Sequence, residues 1–149
     1  MGVSNAFARV AHAATGVPRL YAASIAAGLG PSGALEVVRI SGSALRTAAA
    51  QGRGVPGRTN ALRHFMWQAL LTARFGIEAA RTIAAAQEAG TPARKDSVVD
   101  AHNNAAGQAY GVAHTSELTT GSTSDVLARL LPVAMEKWES DELIWIKPH

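Results

Sequence analysis

NALRHFMWQALLTARFG, residues 60–76, is the stretch that decides the fold. Its apolar residues recur at intervals of three and four, which predicts an amphipathic α-helix. Thr59 or Asn60 can cap the start of this helix, because either side chain can accept a hydrogen bond from a free backbone N–H. Gly76 is placed to end it. The predicted helix buries an apolar side formed by Leu62, Phe65, Met66, Ala69, Leu70 and Ala73.

Two further helices are predicted after Gly76. Residues 77–89 form the first, which Gly90-Thr91-Pro92 closes. The next begins within DSVVDAHNNAAG, residues 96–107, where Asp96 or Ser97 can act as the cap. Its apolar residues are mostly alanine, and Gly107 has no side chain. We therefore expect this helix to approach its neighbours closely.

The rest of the chain flanks this central region. Residues 1–52 are predicted to form accessory helices, with a break near Ser41-Gly42, and the glycine-rich loop 51–57 separates them from a signature core at 58–112. Residues 122–149 are predicted to form a C-terminal helix that starts at a capping cluster. The end, Leu143-Ile144-Trp145-Ile146, is the best candidate for a strand. We read the whole of 1–149 as a single domain.

The composition supports an all-α fold. Of the 149 residues, 48% are hydrophobic but only 5% are aromatic, and alanine, the best helix former, supplies much of the apolar content. Residue types that favour strands are sparse. The expected architecture is a compact bundle of about five or six short helices, with at most a small C-terminal strand or hairpin.

Several classes of site are excluded by composition and motif. There is no cysteine, so disulfides, zinc–thiolate sites and thiol nucleophiles are ruled out. The sequence has neither a phosphate-binding glycine loop nor a dinucleotide fingerprint, and its serines lack a nucleophile-elbow context. The formal charge of +3 makes an anionic partner, such as phospholipid or nucleic acid, somewhat favoured. Proline, arginine and several glycines interrupt the apolar stretch 17–38, so no transmembrane segment is predicted.

Polar residues form a stripe on each of the two central helices. On the first, Asn60, His64 and Gln68 share one face, with Trp67 beside them and Arg63 at the edge. On the second, the aligned residues are Asp96, Asp100, Asn103 and Asn104, with Gly107 below. Each residue taken singly has an ordinary structural explanation, as a cap, an ion pair or a core histidine. A dense polar cluster on otherwise apolar helices indicates a site, because burying such groups costs stability.

The chemistry of this cluster allows two compatible schemes. In the first, His64 is a general base oriented by Asp100, and Arg63 with Asn103 or Asn104 stabilises developing negative charge, while Asn60, Trp67 and Gln68 contact the substrate. In the second, oxygen ligands from Glu88, Asp96 and Asp100 hold Ca²⁺ or Mg²⁺, which prefer such ligands. The cofactor requirement is left open.

The signature stretch resembles a bacterial family of C-terminal domains of polymorphic toxins, found in Rhs-like and wall-associated proteins. The resemblance lies in the pattern N-x-x-R-H-x-x-W at 60–67, a glutamate at Glu88, and D-x-x-N-N-x-x-G at 100–107, and it covers about 58–112. It implies a helical effector domain with a site at these positions. In the family the glutamate follows a histidine, whereas here Gln87 precedes Glu88, which puts a metal role for that dipeptide in doubt.

Three functions are compatible with these observations. The first is a toxin-type hydrolase acting on a phosphoester or acyl ester of membrane lipid, resembling small helical phospholipases in its chemistry. The second is a metal-dependent nuclease toxin, and the third is a non-catalytic binding or assembly domain whose polar cluster specifies helix pairing. A toxin of this kind would be secreted or delivered into a target cell as part of a larger protein, or otherwise be cytoplasmic, and would have a cognate immunity protein as partner.

Overall fold

The computed structural model describes residues 17–89 and 94–145, together with the side chains of these ranges except for 94–97. The described chain is all-α, as predicted, and forms no strand. The part of the predicted accessory helices that precedes residue 17 lies outside the described residues. The seven helices are α1 (17–26), α2 (Gly30–Ala49), α3 (Arg58–Phe75), α4 (Ile77–Ala89), α5 (Arg94–Ala113), α6 (Thr115–Leu118) and α7 (Thr123–Glu139).

Helix α3 is the centre of the bundle. It packs against α2, α4, α5, α6 and α7, and most of its 18 residues are buried. A helix that is covered on most sides needs few charged residues, and the polar residues that it does bury need partners. The large side chains Leu62, Phe65, Met66 and Leu70 are fully buried. The predicted helix over 60–76 is thus the core of the fold.

Glycines allow α3 and α5 to lie unusually close together. A Cβ atom on Gly107 would overlap the carbonyl oxygen of Phe65, and one on Gly111 would lie 2.6 Å from the carbonyl oxygen of Ala69. Both distances are too short for real atoms, so only glycine fits at these two positions. The expectation that Gly107 permits close approach is confirmed.

The predicted break near Ser41-Gly42 is wrong, because α2 is continuous from Gly30 to Ala49. A glycine inside a helix costs only about 1 kcal/mol relative to alanine. The buried face of α2, which includes Val37, Ile40 and Ala44, packs against α3 and offsets this cost. Pro31 lies in the first turn of α2, where no backbone N–H is required.

Residues 140–145 fold back over the start of α3 and the middle of α5. Ser122 and Asp125 form the predicted cap of α7, but residues 143–145 do not form the expected strand, and Ile146 lies outside the described residues. Leu143 is buried instead, and the Trp145 ring lies against Gly57, which immediately precedes α3. Among the described helices, none is long and apolar enough to cross a membrane.

Candidate functional site

Three polar pairs join α3 to α5 as a ladder. Asn60 Nδ2 donates to Asp100 Oδ1 at 2.7 Å, His64 Nδ1 lies 2.7 Å from Asn104 Oδ1, and Gln108 Nε2 donates to Gln68 Oε1 at 2.8 Å. Each pair is 40 residues apart in sequence, and successive pairs are four residues apart. Because residue numbers rise together on both helices, α3 and α5 run parallel. The ladder therefore fixes their register.

His64 occupies the central rung and is held on both sides of its ring. Its side chain is 4% exposed, and Nε2 lies 3.5 Å from Asp100 Oδ1. The edge of the ring also packs against Trp67, with ring centroids 6.1 Å apart in a T-shaped arrangement. These contacts leave the imidazole one orientation, with Nδ1 towards Asn104 and Nε2 towards Asp100.

Glu88, on α4, determines which way the Asn104 amide points. Asn104 Nδ2 donates to Glu88 Oε1 at 3.3 Å, so Asn104 Oδ1 faces His64. An amide oxygen can only accept a hydrogen bond, and therefore Nδ1 of His64 must carry the proton. In the neutral ring, Nε2 is then the unprotonated nitrogen. Its distance of 3.5 Å from Asp100 is too long for a direct hydrogen bond.

The surroundings of His64 favour its neutral form. Burial lowers the pKa of His64 below the ordinary 6.5, and it outweighs the opposing effect of the Asp100 charge. The positive charge of Arg63 lowers the pKa further, whereas the hydrogen bond with Asn104 raises it. The outcome is a ring that is neutral at neutral pH, with a lone pair on Nε2 available to accept a proton.

Two charged residues complete the cluster. Burial raises the pKa of Glu88, the Asn104 hydrogen bond opposes this rise, and the Asp100 charge adds to it. Burial also lowers the pKa of the half-buried Arg63, although the Asp100 charge counteracts that effect. Arg63 Nε is buried and has no hydrogen-bond partner. The site thus combines a neutral base, two carboxyl groups and a poorly solvated cation.

The structure brings together most of the residues that the sequence singled out. The cluster contains Asn60, Arg63, His64, Glu88, Asp100 and Asn104. The roles differ from those expected, since Asn104 and Glu88 orient the ring through Nδ1, while Asp100 lies beside Nε2. The side chain of Asp96, expected as a metal ligand, lies outside the described residues.

Three predicted site residues have other surroundings. Trp67 and Gln68, which were expected to contact the substrate, are fully buried, Trp67 against the His64 ring and Gln68 in the third rung. Asn103 points towards the C-terminal residues, where Nδ2 donates to the Ile144 carbonyl at 3.0 Å and Oδ1 accepts from the Ile144 amide at 2.9 Å. Asn103 therefore secures residues 140–145 and does not face His64.

Gln108, the α5 member of the third rung, was not identified from the sequence. Gln108 and Thr72 continue the two stripes at the same four-residue spacing, and both are buried. That spacing was the signal that could have identified them. His114, by contrast, lies away from the ladder, where it stacks on Tyr110 with centroids 4.1 Å apart.

No group of three or more histidine, aspartate or glutamate side chains within the described part of the chain is arranged to hold a metal ion. Glu88 and Asp100 are both engaged by amides, Asn104 and Asn60 respectively. The expected Ca²⁺ or Mg²⁺ site on Glu88, Asp96 and Asp100 therefore gains no support from the two of these carboxylates that are described.

An open cavity of about 520 Å³ lies elsewhere, between α2, α3 and the start of α7. Its lining includes Glu36, Phe75 and Arg74, and Nη1 of Arg74 donates to both Glu36 and Thr123. Since Arg74 follows Asn60 by almost four helical turns, this cavity is about 20 Å along α3 from the first rung. It is separate from the polar cluster.

Comparison with known families gives one match. The model of a family described as "Domain of unknown function (DUF6973)" matches residues 28–137, which span α2 to most of α7 and include every residue of the cluster. Comparison with curated proteins and with solved structures gives no significant match.

Proposed function

This chain belongs to the family described as a domain of unknown function (DUF6973), and from its site we propose that it is an ester hydrolase in which His64 is the general base. The observation that carries the proposal is the chain of contacts from Glu88 through Asn104 to Nδ1 of His64, which implies one tautomer of the ring. Glu88 orients Asn104, Asn104 accepts the Nδ1 proton, and Nε2 is left with a free lone pair beside Asp100. A base needs this state of the imidazole at neutral pH.

The reaction uses one water molecule. A water that reaches Nε2 beside Asp100 gives one proton to Nε2 as its oxygen bonds to the carbonyl carbon or phosphorus of the ester. The bond from that atom to the leaving oxygen then breaks, and the proton passes from Nε2 to the leaving oxygen. The products are an acid and an alcohol, and His64 is neutral again. Asp100 stabilises the imidazolium that exists between the two transfers.

Asn60 and Arg63 support this chemistry. The Asn60 amide holds Asp100 Oδ1 in place through its 2.7 Å hydrogen bond. The positive charge of Arg63 favours an anionic transition state near Nε2. Esters of membrane lipids are the leading substrate class, since the chain has a formal charge of +3 and lipid esters combine an anionic headgroup with acyl and phosphoester bonds.

An effector role forms part of the same proposal. Its support is the resemblance of the stretch 60–107 to polymorphic-toxin domains, which concerns the residues that make up the cluster. A toxin domain of this kind would act in a target cell and be neutralised in the producing cell by an immunity protein.

A second candidate is a non-catalytic assembly domain. The observation that favours it is the Gln68–Gln108 rung, which is buried and offers no chemistry of its own. Buried polar pairs of this kind can fix the register of two helices. In that case His64 and Asn104 would form one more structural rung.

Hydrolysis of a panel of esters tests the enzyme proposal. The panel contains a nitrophenyl acyl ester, a nitrophenyl phosphomonoester and phosphodiester, phosphatidylglycerol vesicles and a DNA duplex. His64→Gln should reduce the hydrolysis of whichever ester the wild type cleaves by about a hundredfold or more. The matched control is His114→Gln, outside the cluster, which should retain activity. A folded wild type that cleaves none of these substrates, or an equally active His64→Gln, would favour the assembly domain.

Growth of bacteria that express the chain tests the effector role. Wild type and His64→Gln are each directed to the cytosol and to the periplasm. Killing by wild type in the periplasm alone supports an enzyme that acts on the envelope, whereas killing in the cytosol alone supports a nuclease. If wild type and variant have the same effect on growth in both compartments, the toxin proposal is wrong.

A further inference from the structure

Arg63 differs from the other two half-buried arginines of the described residues in having no acceptor for any nitrogen of its guanidinium, whereas Arg58 lacks one only for Nε among its buried nitrogens. Among the described residues it makes no ion pair within 4.0 Å and no hydrogen bond, and its Nε atom is buried without a partner. The other two half-buried arginines are engaged. Arg58 contacts Met135 Sδ and Glu139, and Arg74 binds Glu36 at 2.6 Å.

Burial of the unpaired Arg63 guanidinium lowers the stability of the folded chain. A cation removed from water loses hydration that only an acceptor or an opposite charge can replace. Asp100 is the carboxylate whose charge acts on Arg63, but it is more than 4.0 Å away and its Oδ1 is held by Asn60. The Arg63 guanidinium therefore retains an unmet requirement for an anion.

The unpaired guanidinium belongs to the residue that immediately precedes His64, the proposed base. Arg63 adjoins His64 on α3, its charge acts on the imidazole, and the Asp100 charge acts on both residues. An anion held by Arg63 would therefore lie at the edge of the ladder, near the His64 ring. The outer nitrogens of a guanidinium form a planar fork that matches two oxygens of a phosphate group.

We propose that Arg63 binds the non-bridging oxygens of a phosphoester, so that the substrates of this site are phosphoesters and not neutral acyl esters. The inference rests on the proposed hydrolase and narrows its substrate class. A phosphoester is already anionic when it binds and can satisfy Arg63 at once. A neutral acyl ester gains negative charge only in the transition state and would leave Arg63 unsatisfied in the bound complex.

With a phosphoester as the substrate, the hydrolysis proceeds at phosphorus. Water gives a proton to Nε2 as its oxygen bonds to phosphorus, the bond from phosphorus to the leaving oxygen breaks, and the leaving oxygen takes the proton. Arg63 holds the two non-bridging oxygens throughout and contributes no proton. The products are a phosphate or phosphomonoester and an alcohol.

Titration of the folded protein with inorganic phosphate tests this inference independently of activity. Amide chemical shifts are followed by nuclear magnetic resonance at constant ionic strength, in wild type, Arg63→Gln, Arg63→Lys and His64→Gln. Wild type should show saturable shifts around residues 60–64, and Arg63→Gln should bind at least about tenfold more weakly. Arg63→Lys should bind at an intermediate level, since a lysine provides charge without the fork. His64→Gln should bind phosphate as wild type does.

The control is Arg81→Gln, because Arg81 is exposed and already paired with Glu78. It should leave phosphate binding unchanged. Equal binding by wild type and Arg63→Gln, or no saturable binding by wild type, overturns the inference. If phosphate binds through Arg63 but no ester is hydrolysed, the anion site is supported and the hydrolase fails. If an acyl ester is hydrolysed without phosphate binding, the hydrolase is supported and this inference fails.

Discussion

Nδ1 of His64 and Oδ1 of Asn104 lie 2.7 Å apart at the centre of the interface between α3 and α5. The amide is itself oriented by Glu88, so a carboxyl group on a third helix acts on the histidine through an asparagine. In a familiar catalytic triad a carboxylate contacts Nδ1 directly. The neutral amide of Asn104 orients the ring without placing a negative charge beside Nδ1, so burial remains the main influence on the pKa of His64 and lowers it.

Asn104→Asp should therefore raise the pKa of His64. The new carboxylate would face Nδ1–H at hydrogen-bond distance and favour the charged ring. The measurement is a titration of the His64 ring protons by nuclear magnetic resonance, with the His114 signals as the internal control, because His114 has different neighbours. An unchanged or lower pKa of His64 would show that Asn104 does not contact its ring.

Acid should destabilise the wild type more than His64→Gln. The pKa of His64 is lowered by folding, so above about pH 6.5 the ring is neutral in both states and contributes no pH dependence. Below that pH the unfolded chain takes up a proton that the folded chain does not, and the free energy of unfolding falls until the folded pKa is passed. Urea unfolding at about pH 7.5, 6 and 5 measures this. Parallel pH profiles for the two proteins would contradict it.

Gly107→Ala should destabilise the fold by about 1–3 kcal/mol, since the added methyl group overlaps the Phe65 carbonyl and must force α3 and α5 apart. Gly42→Ala is the matched control. Its methyl group would meet only the flexible end of Arg46 at 3.4 Å, so the better helix propensity of alanine should leave stability equal or higher. Denaturant unfolding measures both. An equal effect of the two substitutions would contradict close helix contact at Gly107.

Asn103→Ala should release residues 140–145 from α5. It removes both side-chain hydrogen bonds to Ile144, whereas His102→Ala removes only one contact, to the Glu142 carbonyl. Amide hydrogen exchange at Ile144 should therefore accelerate strongly in Asn103→Ala and only slightly in His102→Ala. The same exchange rate at Ile144 in wild type and Asn103→Ala would show that the asparagine does not hold this segment.

The sequence predicted the faces of the two central helices but not their register. Four-residue spacing puts Asn60, His64 and Gln68 on one face, and Asp100 and Asn104 on another, because an α-helix has 3.6 residues per turn. Nothing in that spacing says that the helices are parallel, or that Nδ1 of His64 pairs with Asn104 while Asp100 lies beside Nε2. The register depends on Gly107 and Gly111, which determine where the two backbones can touch.

Asn103 shows why adjacent residues were harder to assign. It was grouped with Asn104 because both belong to the same polar stripe, but consecutive helical residues point about 100° apart. Asn104 faces α3, and Asn103 faces a C-terminal segment whose path no local pattern revealed. The prediction of a helix break near Ser41-Gly42 was wrong for a related reason, since packing of α2 on α3 outweighs the local preference of one glycine.

Nitrogen-15 chemical shifts of the His64 ring, recorded at about pH 7.5, report which ring nitrogen carries the proton and so whether His64 can act as a base. We expect a neutral ring with the proton on Nδ1 and an unprotonated Nε2, the state that a general base requires. A proton on Nε2, donated to Asp100, would leave no lone pair on that side. That result would contradict the catalytic role and make the His64–Asn104 pair a structural rung of the ladder.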